Sequence, residues 1–204
     1  MISIIMPSYL GYYKKAAKNR ETKIIRAVRS VFAQSFKDWE LIIVADGCKK
    51  TIDIIENFCK FENCEKIKIV PLDKQPIWSG KVRNAGIEKA EGDYICYLDI
   101  DDAFAPEHLW SLQAGMRTGK DWYWFDDYVW NGEDFRRRKC NIARAGQCGT
   151  SNILHKRGLA RWNNKDNYAH DWRFIGNLKR ASKEYEYINA GEYLVCHVPG
   201  KFDI

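Results

Sequence analysis

Gly92-Asp93-Tyr94-Ile95-Cys96-Tyr97-Leu98-Asp99-Ile100-Asp101-Asp102 places an apolar run of five residues, Tyr94 to Leu98, directly before three carboxylates in four positions. A short apolar run of this kind reads as a buried strand, so the carboxylates stand at a strand's carboxyl end. Upstream, Ile2 to Met6 is a further apolar run stopped by Pro7, and Leu41-Ile42-Ile43-Val44 is broken by Asp46-Gly47. Between them a helix starting near Thr22 sets Ile24, Ile25, Val28, Val31 and Phe32 on one face. A helix over Ile52 to Phe58, a strand over Lys66 to Pro71 and a helix over Lys81 to Ala90 complete the series. Strands alternating with helices predict right-handed βαβ crossovers, hence an α/β fold with a mainly parallel sheet flanked by helices. In such sheets ligands bind beyond the carboxyl ends of the strands. Folding therefore gathers Pro7-Ser8-Tyr9, Asp46-Gly47 and Asp99 to Asp102 at one edge.

Downstream of Pro106 the pattern predicts a helix carrying Leu109, Leu112 and Met116, closed by Gly119. An aromatic strand over Trp122 to Trp130 turns at Asn131-Gly132. A helix over Asp171 to Ala181 and short strands at 186–189 and 194–198 follow. No repeat or low-complexity linker divides the 204 residues, and one domain spans 1–204.

Hydrophobic residues make up 46% and charged residues 29% of the chain, the composition of an ordinary globular protein. The net charge is +6, with basic residues gathered over Lys14 to Arg29 and Arg136 to Lys139. Such segments suit a polyanion or peripheral contact with a membrane surface, while a solvated face is the plainer account of Arg136 to Lys139. Nucleic acid is not expected as a partner, because no zinc-finger spacing, RNP signature or heptad-linked basic helix accompanies the charge. Seven Cys without a close CxxC pair predict reduced thiols and a cytoplasmic location. The N-terminal run is too short for a signal peptide, and nowhere do 18 apolar residues follow one another. Eight Trp and 11 Tyr suit either stacking on flat ligands or an aromatic core. Nothing in the pattern specifies an oligomeric state.

Asp99, Asp101 and Asp102 repel one another unless a cation lies between them. Hard oxygen ligands suit Mg²⁺ or Mn²⁺, and Mg²⁺ keeps few protein ligands, completing its shell with phosphates. Taken alone, the same residues also describe a solvated turn before Pro106.

Context decides between these. Ile4-Ile5-Met6-Pro7-Ser8-Tyr9, then Ala27 to Phe36, Trp39 to Gly47, Arg83-Asn84-Ala85-Gly86-Ile87 and Gly92 to Asp102 together resemble family 2 glycosyltransferases, in order, over about residues 2 to 110. The resemblance implies a GT-A fold and an inverting transferase that moves a sugar from a nucleotide-diphosphate donor, a UDP-sugar first, to a glycan or lipid-linked hydroxyl. It implies a nucleotide-sugar-binding half over about 1–105 and an acceptor half over about 106–204. By the same resemblance Pro7, Ser8, Tyr9 and Asp46 line the nucleoside pocket with Arg83 nearby, Asp99 approaches the ribose or metal, and Asp101 binds the metal. The chain departs from the family in having Ala45-Asp46 where paired acids are usual and Cys48 where Ser is usual, and its Leu10 to Glu21 loop is longer and more basic than typical.

Lys81 could reach the donor diphosphate or simply be solvated, and Trp78 could stack on the base or wedge the loop. Inversion needs a base on the acceptor side. In Tyr168 to Phe174, which resembles the family's later block, His170 replaces the first acid of a pair and Asp171 aligns with the base. Helix capping is the plainer reading of Asp171; Asp126 and Asp127 are alternative acids. His197 matches a position where GT-A enzymes often carry a metal-ligating His, although a lone His is commonly a satisfied structural residue. Two other readings compete: a catalytically silent nucleotide-sugar-binding module, and a sugar-phosphate nucleotidyltransferase, whose glycine-rich N-terminal phosphate loop is missing.

Overall fold

The computed structural model describes residues 1–76, 80–163, 169–199 and 201–204. Its first half runs β1 (Ile2–Ser8), α1 (Arg20–Phe32), β2 (Trp39–Asp46), α2 (Lys49–Phe58), β3 (Ile67–Leu72), α3 (Gly80–Lys89) and β4 (Tyr94–Tyr97). The second half adds β5 (Ala103–Phe104), α4 (His108–Gly115), β6 (Trp122–Trp130), β7 (Phe135–Arg138), β8 (Ile153–Lys156) and α5 (His170–Ala181). It ends with β9 (Tyr185–Val195), β10 (His197–Val198) and β11 (Phe202–Asp203).

The main sheet has the order β3-β2-β1-β4-β8-β6-β9-β5, with β7 paired to β6. β3, β2, β1 and β4 are mutually parallel. β8 runs antiparallel to both β4 and β6, so the whole sheet is mixed and only its first half is parallel as expected. Strands at the centre are buried on both faces, which is why β1 and β2 read as unbroken apolar runs. The strand period of two then deals their side chains to two cores. Ile2, Ile4, Met6, Leu41 and Ile43 pack in one with Ile24, Ala27, Val28 and Val31 of α1. Ile5, Ile42 and Val44 pack in the other with Val82 and Ile87 of α3 and Phe174, Ile175 and Leu178 of α5.

Pro7 does not stop β1, which continues to Ser8 beside β2. Pairing with β4 ends at Ile5 and Tyr97, so Pro7 lies where β1 no longer has that neighbour and the missing N–H is tolerated. The two short strands expected near the end merge across the Asn189–Glu192 interruption into β9. β9 pairs with β6 on both sides of a register shift: Phe125 pairs with Ile188 and Asp127 with Tyr193. The intervening residues bulge, and a bulge of this kind is invisible to a period-two pattern.

Gly86 explains why α3 lies so close to the sheet. A Cβ there would come within 2.6 Å of Ile5 Cγ2 and 3.1 Å of Val44 Cγ2. Gly86→Val is expected to destabilise the fold by about 1–3 kcal/mol through overpacking, read as a lower urea midpoint at unchanged slope.

Two expectations need correction, on the thiols and on the Arg136 to Lys139 segment. Disulfides link Cys59 to Cys64 and Cys140 to Cys148, leaving Cys48, Cys96 and Cys196 as thiols. Separations of 5 and 8 residues concealed these pairs, because a turn, not a motif, brings each together. Reduced thiols therefore do not describe the chain. Arg136 to Lys139 is not simply a solvated face: Arg137 Nε donates to Asp126 at 2.8 Å and Arg138 Nε to Asp127 at 2.9 Å. The aromatic excess goes mainly to the core, where Trp122, Tyr123, Phe125, Tyr97 and Tyr193 are fully buried. No helix among the described residues is long and apolar enough to cross a membrane.

Candidate active site

From β1 the chain moves outward through β2 to β3, then returns to place β4 on the opposite side of β1. The resulting switch point lies between the carboxyl ends of β1 and β4, where an open α/β sheet forms its crevice. Asp99 stands at that point. Its side chain is 43% exposed, and Arg83 Nη2 of α3 lies 3.8 Å from Oδ1. Partial burial against the crevice walls, opposed by Arg83 and reinforced by the charges of Asp101 and Asp171, leaves the Asp99 carboxyl raised to about 6. Asp99, Asp101, Asp171 and Arg83 therefore share one electrostatic site, although they come from three elements far apart in sequence.

Within the acidic segment the three carboxylates have different work. Asp102 is 6% exposed and structural. Its Oδ2 accepts from the Tyr193 hydroxyl at 2.9 Å and its Oδ1 from the Cys196 N–H at 2.8 Å. Tyr193 in turn accepts from the Asp99 N–H at 3.1 Å, so β9 clamps the loop from both ends. Burial pushes the Asp102 carboxyl well up, reinforced by Asp101 and Asp99. Arg26 of α1 donates to the Asp101 carbonyl at 2.6 Å. The Asp101 carboxylate has no side-chain partner among the described residues, and burial raises its pKa. His197 lies close enough for its charge to act on Asp101.

A carboxylate without a side-chain partner among the described residues, near an imidazole, fits a divalent cation that takes its remaining ligands from a diphosphate. Among the described residues no three His, Cys, Asp or Glu side chains converge on one point, so no protein-only cage competes with that arrangement. Tyr13, on the basic loop before α1, also reaches this crevice. Burial first, and then Asp101, raise its phenol, while Arg20 stacks over the ring at 4.7 Å.

At the outer end of the crevice, Asp46 is 6% exposed. It accepts from Lys74 Nζ at 2.8 Å and from the Gln75 N–H at 2.6 Å. Lys74 lies 4.2 Å over the Tyr9 ring, so Tyr9, Asp46 and Lys74 form one wall. Gly47 makes this possible: with φ +59° it closes a turn against Lys74, whose Cβ would lie 2.5 Å from an added Cβ. Pro7 is half-buried beside Val44. Ser8 turns away from the crevice, its buried hydroxyl hydrogen-bonded to Thr51 at 2.8 Å. Its side chain is thus tied to α2 through Thr51. Trp78 and Tyr168 lie outside the described residues.

On the opposite wall, Asp171 is in the first turn of α5 but does not cap it. The N-cap position is Ala169, without a side-chain cap bond. Asp171 accepts instead from the Thr150 hydroxyl and pairs with His170 Nε2 at 2.9 Å. Burial alone would raise its carboxyl. Hydrogen bonding to His170, the charges of His170 and Arg83, and the Thr150 bond outweigh burial and hold it below the ordinary value. Asp126 and Asp127 are 3% and 1% exposed and tied to Arg137 and Arg138, which removes them as acids facing an acceptor.

Arg83 is held by residues that sequence patterns did not single out. Its guanidinium lies 4.8 Å over the Trp162 ring, and Trp162 stacks on Phe174 at 4.0 Å and 7°. Asn84 latches the same segment through both amide atoms, giving to the Trp162 carbonyl at 3.0 Å and accepting from its N–H at 2.9 Å. Among the described residues Arg83 Nε is buried without a partner, an N–H suited to an anion. Lys81, exposed one residue beyond Gly80, stands in the first turn of α3 on the same side of the fold. Trp162 and Tyr193 lacked any local signal, since each acts through a partner dozens of residues away, whereas Thr150 lies in the small polar run Cys148 to Asn152 that has the character of an acceptor or donor-sugar loop.

The family model described as Glycosyl transferase family 2 matches residues 3–185. An uncharacterised glycosyltransferase of Haemophilus influenzae is 37% identical over 110 residues, covering 53% of this chain and 39% of that relative. The chain thus spans less than half the length of this curated relative. Among solved structures, S. aureus TarS in complex with UDP-GlcNAc superposes with a TM-score of 0.77 at 19% identity, covering 98% of this chain and 60% of that one. The mannosyltransferase PcManGT from Pyrobaculum calidifontis, in complex with GDP-Man and Mn²⁺, gives a TM-score of 0.69 at 11% identity, covering 98% of this chain and 58% of that one. These two likenesses establish the fold shared with this chain, the GT-A fold.

Proposed function

Because the chain belongs to glycosyl transferase family 2, we propose that it transfers a sugar, with inversion, from a nucleoside-diphosphate donor to a hydroxyl of a glycan or lipid-linked acceptor. The observation that carries this reading is the convergence of Asp99, Asp101, Arg83 and Asp171 on the switch point between β1 and β4. Residues of about 1–105 hold the donor in this proposal, and those of about 106–204 form the acceptor side. A uridine donor is favoured first, since TarS, with the same fold, was solved with UDP-GlcNAc.

Tyr9 and Asp46 line the nucleoside end, with Lys74 between them. Arg83, braced by Trp162, offers its unpartnered Nε to the diphosphate, and Lys81 is the further cation on that helix. Asp101 and His197 would hold Mn²⁺ or Mg²⁺, the PcManGT complex with Mn²⁺ being consistent with this choice. When bound, the cation supplies positive charge that stabilises the departing diphosphate. Asp171 accepts the proton of the acceptor hydroxyl as its oxygen bonds to the anomeric carbon and the carbon–phosphate oxygen bond breaks. Thr150 and His170 hold that carboxylate ionised and aimed. The basic residues of the loop before α1 would meet an anionic acceptor or a membrane surface.

The reading is tested by thermal unfolding with UDP- and GDP-sugars, each with and without Mn²⁺. One nucleotide sugar at about a hundredfold its Kd is expected to raise the melting temperature by about 5–10 °C in Mn²⁺. No shift with any nucleotide sugar in either condition would overturn the donor-site assignment.

A further inference from the structure

β10 and β11 form a small antiparallel hairpin in which His197 stands directly opposite Asp203. Their side chains meet, His197 Nδ1 lying 3.1 Å from Asp203 Oδ1. Asp203 is itself held from α1 and the loop before it: Lys23 Nζ pairs with Oδ1 and the Lys18 N–H donates to Oδ2 at 2.9 Å. At the other end of β10, the Cys196 N–H is fastened to Asp102. The imidazole is thus located by both the acidic segment and the hairpin.

An ionised carboxylate can only accept, so the proton of a neutral imidazole resides on Nδ1. Nε2 then presents a lone pair. What it faces is the Lys15 carbonyl, a second acceptor, at 3.3 Å. Lys15 has φ 65°, the left-handed region that a non-glycine residue seldom adopts. A ring nitrogen set against an acceptor carries either a proton donated to it or, in the proton's place, a cation. Asp101 adjoins Asp102, whose carboxylate holds the N–H of Cys196 next to His197, so Asp101 and His197 lie in one neighbourhood.

We propose that Asp203 is a positioning residue for the metal site: by holding Nδ1–H it fixes the tautomer and ring orientation of His197 so that Nε2 is the nitrogen presented to a divalent cation. The inference rests on the metal-dependent donor site proposed above. It adds a role for a residue outside every motif quoted from the sequence. Carboxylates that accept from the second nitrogen of a ligating imidazole orient it and raise its basicity, and their loss typically weakens metal binding by about 10- to 100-fold.

The experiment follows the electron paramagnetic resonance signal of free Mn²⁺ during titration into the protein with UDP or GDP present. Wild type, Asp203→Ala, Asp203→Asn, His197→Ala and the double variant His197→Ala/Asp203→Ala are compared after their melting temperatures are recorded. Asp203→Ala is expected to weaken Mn²⁺ binding about 10- to 100-fold. Asp203→Asn, which keeps an oxygen opposite Nδ1–H, loses less and carries the comparison if the alanine variant does not fold. In the His197→Ala background, loss of Asp203 is expected to add less than about twofold, because its effect passes through the imidazole. If the two losses multiply independently, or if Asp203→Ala and Asp203→Asn bind like wild type, the positioning role is overturned while the metal site stands. If wild type takes up no Mn²⁺ with either nucleotide, the metal-dependent donor reading itself fails and the inference with it.

Discussion

Asp171→Asn is expected to lower kcat by about 10²- to 10⁴-fold while leaving the affinity for the nucleotide-sugar donor close to wild type. The substitution keeps the size of the side chain and an oxygen that can accept from Thr150, so the first turn of α5 keeps its contacts. It removes only the capacity to take a proton. A structural role would leave the rate largely intact, particularly since Asp171 makes no capping bond to α5. The carboxyl is held below its ordinary value chiefly because the His170 contact outweighs burial. It therefore stays ionised through neutral pH, and its acid limb in kcat/KM is expected below the ordinary carboxylate range. A base of low pKa is a weak one, so the loss is expected toward the smaller end of the range. The same shift has a stability consequence with a definite sign. A carboxyl with a depressed folded-state pKa contributes stability above its unfolded value and loses it as pH falls through the folded value. Transfer at the wild-type rate by Asp171→Asn would reassign the base.

Asp101→Ala is expected to abolish the Mn²⁺-dependent rise in melting temperature given by the donor, and to lower kcat/KM by about 10³-fold or more. Arg26 grips the backbone carbonyl of Asp101, a contact that alanine preserves. Asp102, and not Asp101, carries the packing of the loop through Tyr193 and Cys196. The fold should therefore survive the change, and the melting temperature without nucleotide should stay near wild type. A variant that still responds to the donor only when Mn²⁺ is present would show that the cation is held elsewhere.

The contrast between Asp101 and Asp102 shows where sequence reading succeeds and stops. Adjacent carboxylates at a strand end are chemically identical in the sequence. In the structure one lies at the crevice and the other is sealed beneath Tyr193, because the chain turns between Asp99 and Asp102, whose N–H donates back to the Asp99 carbonyl at 3.1 Å. Ser8 gives the same lesson at β1, where a polar residue next to Tyr9 belongs to the packing of α2. Arg83 was legible as a candidate, but the residues that hold it were not. Trp162 and Phe174 come from segments with no helical or strand period connecting them to α3.

The amino-acid sequence by itself determined the βαβ order of the first half, the burial of β1 and β2, and the edge at which Pro7 to Tyr9, Asp46 and Asp99 to Asp102 meet. Those features follow from hydrophobic period and strand-end composition, which are local. Only the tertiary structure decided the mixed sheet beyond β4, the bulge between β6 and β9, the disulfides, and the different surroundings of Asp99, Asp101 and Asp102. It also placed Asp203 against His197 through a strand register. Such outcomes depend on which distant surfaces bury one another, and nothing in a residue's neighbours along the chain specifies its partner across the fold.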